Sequence, residues 1–115
     1  MANNGFEVIF LQSVDDFLST LTPKTKAKIM YNIDKVKGGL MDAELFKKHD
    51  GSNDIWEFRT LYGGIQYRLL AFWDKTTNSL VVATHGFAKK TWAVPVSEIA
   101  KAEAIRKEYY KLKDE

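Results

Sequence analysis

Between Ile55 and Phe87 the chain reads as three consecutive strands joined by two turns, and no other stretch restricts the fold so tightly. Ile55 to Leu61 alternates, placing Trp56 and Phe58 on one face and Glu57 and Arg59 on the other. Tyr62-Gly63-Gly64 supplies a turn. Ile65 to Trp73 is almost continuously apolar, the pattern of a central strand covered on both sides. Asp74 to Asn78 is turn chemistry again, and Leu80 to Phe87 completes a meander.

Helical patterns flank the meander. After an opening strand from Phe6 to Leu11, Ser13 is placed to cap a short helix whose apolar side is Phe17, Leu18 and Leu21. Thr22-Pro23 starts a second helix, with Ile29, Ile33 and Val36 inward and Gly38-Gly39 ending it. Residues 40–53 read as a connection that closes in a loop. Pro95 opens a last helix with an expected buried stripe of Ile99, Ala102, Ile105, Tyr109 and Leu112. The order predicts one α+β domain over residues 1–115. Its twisted, mainly antiparallel sheet has about four strands. Two N-terminal helices cover one face, and the C-terminal helix lies at the sheet edge.

With 45% hydrophobic residues the chain is apolar enough to build one core. It has no cysteine, which excludes disulfides and thiolate metal sites. His49 and His85 stand far apart, so neither a metal nor another cofactor is expected. No apolar run approaches the roughly 20 residues that span a bilayer. The first residues lack the blocks of a secretory signal, and a cytoplasmic address is expected. A net charge of +2 does not by itself imply a nucleic-acid partner. The lysines between Lys24 and Lys48 read as a solvated helix face.

Arg68 is the most informative position, because it interrupts an apolar strand where a charge is costly without a partner. It shares a face with Gln66 and Leu70, and a neighbouring strand can bring Arg59 near. Two readings stand side by side. One is an ion pair with Glu57 across the sheet; the other is a rigid guanidinium that clamps a phosphate by paired hydrogen bonds. A second candidate is His85-Gly86-Phe87-Ala88-Lys89-Lys90-Thr91-Trp92, where two lysines follow a strand. His85 alone is more often a satisfied core histidine than a base. Tyr67 and Trp92 have rings able to stack on bases, although packing is the commoner use. Glu57 is either a base or an arginine partner. Gly-rich phosphate loops, serine nucleophile elbows and zinc helices are absent from the sequence.

Several of these segments, taken together, resemble a known family. Asp54-Ile55-Trp56-Glu57-Phe58-Arg59, Tyr67-Arg68-Leu69-Leu70, His85 to Thr91, Pro95 and Glu98-Ile99 are similar to the phage-derived, HigB-like branch of the RelE/ParE toxin superfamily. The resemblance implies a RelE-like fold and the toxin of a type II toxin–antitoxin pair. The implied activity is a ribosome-dependent mRNA endoribonuclease that needs no metal, in which the RNA 2′-hydroxyl attacks the adjacent phosphate. Carried over by motif, Arg68, Lys90 and Lys89 handle the scissile phosphate. Arg59, Glu57, His85 and Tyr67 support the RNA-binding surface. The implied partners are a cognate antitoxin of helix-turn-helix type, the ribosome and mRNA, with no membrane. Two other functions belong to the same superfamily reading: a ParE-like inhibitor of DNA gyrase, or an inert prophage-derived module that only binds its antitoxin. The sequence departs from the pattern at Val94, where a threonine is common before the proline, and in lacking a clear C-terminal acid or base.

Overall fold

A computed structural model describes residues 5–52, 54–77, 79–90 and 93–114. The elements run β1 (Glu7–Phe10), α1 (Gln12–Ser19), α2 (Pro23–Lys37), β2 (Phe46–Lys48), β3 (Trp56–Tyr62), β4 (Ile65–Trp73), β5 (Leu80–Lys89) and α3 (Val96–Lys113). They form one sheet in the order β1-β5-β4-β3-β2. Strands β2 to β5 pair antiparallel in succession, and β1 adds to β5 in parallel. The α+β class and the central meander are those expected, but the sheet has five strands rather than four.

The additional strand is β2, in the stretch expected to be a connection. Phe46 is buried and its ring stacks on Phe58 with centroids 4.5 Å apart, so burial of one aromatic fixes three residues as a strand. The Gly63-Gly64 turn has φ of 59° and 78°, the left-handed pair that a two-residue hairpin with matching twist requires.

α1 and α2 cover one face. Val14, Leu18, Ile29, Ile33 and Val36 pack there against Phe58, Tyr67, Leu69, Ala71, Val81 and Ala83. Thr22 caps α2 as expected, accepting from the Thr25 N–H at 3.2 Å. Ser13 does not cap α1. The Leu11 N–H is still held by the Ala83 carbonyl at 3.1 Å, and the helix turns directly out of the strand at Gln12 with Leu11 as its N-cap.

α3 crosses the opposite face instead of lying at the edge. Ile99 and Ala102 pack with Ile55, Leu70, Phe72, Val82 and Val94 in a second apolar cluster. Leu112, expected in the buried stripe, is 59% exposed. The surface beneath the last turn is the β4–β5 turn, which is polar, so Tyr109 and Lys113 point inward to the buried Asp74 carboxylate. No described helix is long and apolar enough to cross a membrane.

One irregularity decides what α3 faces. Leu70 pairs with His85 but Ala71 pairs with Ala83, so β5 carries an extra residue at Thr84. Side chains alternate along a strand, and one inserted residue reverses every position after it. Ala83 therefore faces α1 and α2, whereas His85, Phe87 and Lys89 face the same side as Leu70, Arg68 and Gln66. Gly86 lies on the other side, where an added Cβ would stand 2.4 Å from both Leu69 and Phe17.

Candidate functional site

α3 covers only the half of its face built from Leu70, Phe72 and Val82. The other half carries Arg59 directly opposite Arg68, Glu57 opposite Leu70, Gln66 opposite Lys89 and Lys47 opposite Glu57. Two arginines facing each other across a ladder repel. Glu57 relieves that repulsion: its Oε1 lies 3.3 Å from Arg68 Nε and 3.9 Å from Arg59 Nε.

Arg68 is the residue most deeply set. Its side chain is 2% exposed. Its Nη1 donates to Gln66 Oε1 at 3.0 Å and to the Tyr67 carbonyl at 3.1 Å. Burial, and after it the facing Arg59, lowers its pKa from the ordinary arginine value, while Glu57 opposes them. Of the two readings of Arg68, the ion pair with Glu57 is the one this geometry contains. Arg59 is less buried and donates from Nη1 to the Ala43 carbonyl at 3.2 Å.

Above this pair opens a cleft of about 280 Å³ bordered by Lys47, Lys48, His49, Asp50, Glu57, Arg59, Lys89, Ala93 and Val94. Four cations and two carboxylates meet there, so the cleft is net positive with Glu57 at its floor. Burial, then Arg68 and Arg59, holds the Lys89 ammonium below the ordinary lysine value. A larger groove of about 490 Å³, between α2 and the end of β3, sets Lys28, Lys35 and Arg59 against Asp42 and Glu44 and is closer to balance.

The histidine that the sequence showed as isolated belongs to this cleft. His49 follows β2, and its Nδ1 lies 2.7 Å from Glu57 Oε2. Its backbone is fixed from both sides, by its own N–H on the Ile55 carbonyl at 2.8 Å and by the Ser52 N–H on its carbonyl at 3.2 Å. Ser52 in turn donates to Glu103 of α3 at 2.9 Å. The signal for this hairpin was Asp50-Gly51 between two β-prone segments, a turn dipeptide read only as the end of a loop.

The remaining candidates scatter. Lys90 is exposed beyond the end of β5 and does not border the cleft. Tyr67 is 8% exposed and faces α1 and α2, the side opposite Arg68, so its ring is core and not a platform for a base. His85 is 3% exposed, with Nδ1 3.1 Å from Thr84 Oγ1 and Nε2 3.2 Å from Glu98 Oε1, which ties β5 to α3. Burial first, and Lys101 second, pushes its imidazole below the ordinary histidine value, against the pull of Glu98. Thr91 and Trp92 lie outside the described residues. Among the described residues no three His, Cys, Asp or Glu side chains gather as metal ligands.

Comparison with known proteins agrees with this architecture. Residues 16–107 match the sequence pattern of the family described as phage derived protein Gp49-like. The fold is similar to a mutant of the E. coli toxin RelE in its free state, with a TM-score of 0.62 and 14% identity over 89% of this chain and 97% of that one. It is also similar to a chain of the toxin–antitoxin complex RelBE2 from Mycobacterium tuberculosis, with a TM-score of 0.50 and 18% identity over 74% of this chain and 92% of that one. No curated protein sequence matches the chain significantly.

Proposed function

The chain belongs to the phage-derived Gp49-like family and has a RelE-like fold, and from that premise we propose that it is the toxin of a type II toxin–antitoxin pair, cleaving mRNA on the ribosome. The observation that carries the reading is the open half-face beside α3, where Lys47, Lys48, Arg59 and Lys89 surround a single buried carboxylate. Such a cleft binds a polyanion, and its floor is rigid because it is built on paired strands.

In this proposal the 2′-hydroxyl of one nucleotide attacks the adjacent phosphorus, the bond to O5′ breaks, and a 2′,3′-cyclic phosphate remains. Lys89 neutralises charge on the phosphate oxygens from within the cleft, as a preorganised donor does. Arg68 acts from beneath, adding its charge and holding Glu57 in place. Lys90, exposed in the next position, binds the continuing RNA chain. The chemistry needs no metal, because the nucleophile is supplied by the RNA itself. The proposed site of action is the cytoplasm, and the proposed inhibitor is an antitoxin that lays acidic side chains over the same cations.

Adding the protein to ribosomes carrying a defined mRNA tests the reading. The expected products end in a 2′,3′-cyclic phosphate, and a 2′-deoxy substitution at the cut position abolishes them. Intact mRNA together with gyrase-dependent DNA damage would move the chain to the gyrase-inhibiting arm of the superfamily.

A further inference from the structure

We propose that His49 is the proton-transfer group of this cleft, held in place by Glu57, a role that rests on the RNA-cleaving reading. Cleavage by an internal hydroxyl needs a base for the 2′-hydroxyl proton, and lysines and arginines that are charged do not provide one. His49 does. Glu57, paired to Arg68 and Arg59, is an acceptor, so the 2.7 Å contact requires that His49 Nδ1 donates. In the neutral ring that fixes the tautomer and leaves the lone pair on Nε2. The arrangement is a base with its own orienting carboxylate, the pairing that activates oxygen nucleophiles generally.

Two further observations place Nε2 for work. His49 borders the same cleft as Lys89 and Arg59, so base and phosphate-neutralising cations share one space. Gly51 keeps the space over that nitrogen open, since a Cβ there would stand 3.0 Å from Nε2. The loop is braced on α3 through Ser52 and Glu103, which limits drift of the ring.

The step balances without a co-reactant other than water. Nε2 takes the 2′-hydroxyl proton as the O2′–P bond forms. The P–O5′ bond breaks, and O5′ takes a proton from a water of the open cleft. The imidazolium then returns its proton to the hydroxide so formed. Protonating His49 beforehand removes the base, so the rate has an acid limb. The charged groups around His49 are Lys47, Lys48 and Asp50 beside it, Glu57 and Arg59 from β3, Lys89 from β5, and Glu103 through Ser52.

Single-turnover cleavage of ribosome-bound mRNA, measured across pH, tests the role in the full-length protein. His49→Gln should slow cleavage by about 10²–10⁴-fold, as loss of a general base does. It should also abolish the acid limb while melting like wild type, and added imidazole should restore part of the rate to His49→Ala. Wild-type rate and limb in His49→Gln would overturn the role and leave the RNA-cleaving activity intact. If His49→Gln fails to fold, Gly51→Val serves instead, since it keeps the histidine and crowds Nε2. An unchanged rate in Gly51→Val overturns the role. A wild-type protein that cuts no RNA at any pH removes the activity and the role together.

Discussion

Arg68 Nε lies 3.3 Å from Glu57 Oε1, with the two side chains only 2% and 8% exposed. Removing one member of a buried pair strands the other's charge, which typically costs about 3–5 kcal/mol. Arg68→Ala should therefore lower the unfolding free energy by an amount in that range, read from the fall in the urea midpoint. Arg68→Met combined with Glu57→Gln should recover much of the loss, because no charge is then left buried. A wild-type midpoint in Arg68→Ala would show that the pair is not structural.

Lys89 and Lys90 are adjacent in sequence but differ in setting, and their variants should differ in kind. Lys89→Ala should cut the single-turnover rate by about 10²–10³-fold, the cost of removing one preorganised stabiliser. Lys90→Ala should weaken RNA binding instead, and high salt should hide the defect because exposed charges act through screened attraction. Since the Lys89 ammonium is held below the ordinary lysine value, activity should fall at a lower alkaline pH in wild type than in Lys89→Arg. A larger rate loss at Lys90 than at Lys89 would reverse the assignment.

Periodicity made the meander and α2 legible, since Ile65 to Trp73 and Thr22-Pro23 admit few alternatives. Strand β2 was hidden because three residues are too short for a period, and only the pairing of Phe46 with Phe58 reveals it. The bulge at Thr84 was hidden for another reason. Nothing in Ala83-Thr84-His85 announces an unpaired residue, yet that residue brings Lys89 to the face of Arg68. Arg59, Glu57 and Arg68 could be grouped from alternation alone. His49 could not, because its partner is reached through a hairpin that the polar loop concealed.

His85 makes stability depend on pH. Its folded value is lowered by burial and then by Lys101, so the unfolded chain binds more protons as pH falls through about 6.5. Stability is thus present above that pH and is lost below it, by up to about 1.4 kcal/mol per pH unit for one proton. Urea titrations at pH 7.5 and 5.5 should show a smaller drop in His85→Gln than in wild type. Equal drops would mean that His85 titrates normally in the fold.

Asp74 latches the end of α3. It is 1% exposed and accepts from Tyr109 Oη at 2.6 Å, Thr76 Oγ1 at 2.6 Å, the Thr76 N–H at 2.9 Å and the Lys113 ammonium. Tyr110 adds a second tie, donating to the Trp73 carbonyl at 3.1 Å. Burial pushes the Asp74 carboxyl up, but the hydrogen bonds from Lys113, Thr76 and Tyr109 outweigh it and hold the group well below the carboxylate range. A depressed carboxyl contributes stability that is full above its unfolded value of about 3.9 and drains away as pH falls toward the folded one. Asp74→Asn should therefore cost about 1–3 kcal/mol near pH 7, the cost of leaving buried partners unsatisfied. Its deficit against wild type should shrink in acid. Because few apolar residues hold this part of α3, the amides of its last two turns should also exchange faster in the variant, while those near Ile99 and Ala102 stay protected. Uniform exchange along the helix would show that Asp74 stabilises the domain as a whole and does not act as a local latch.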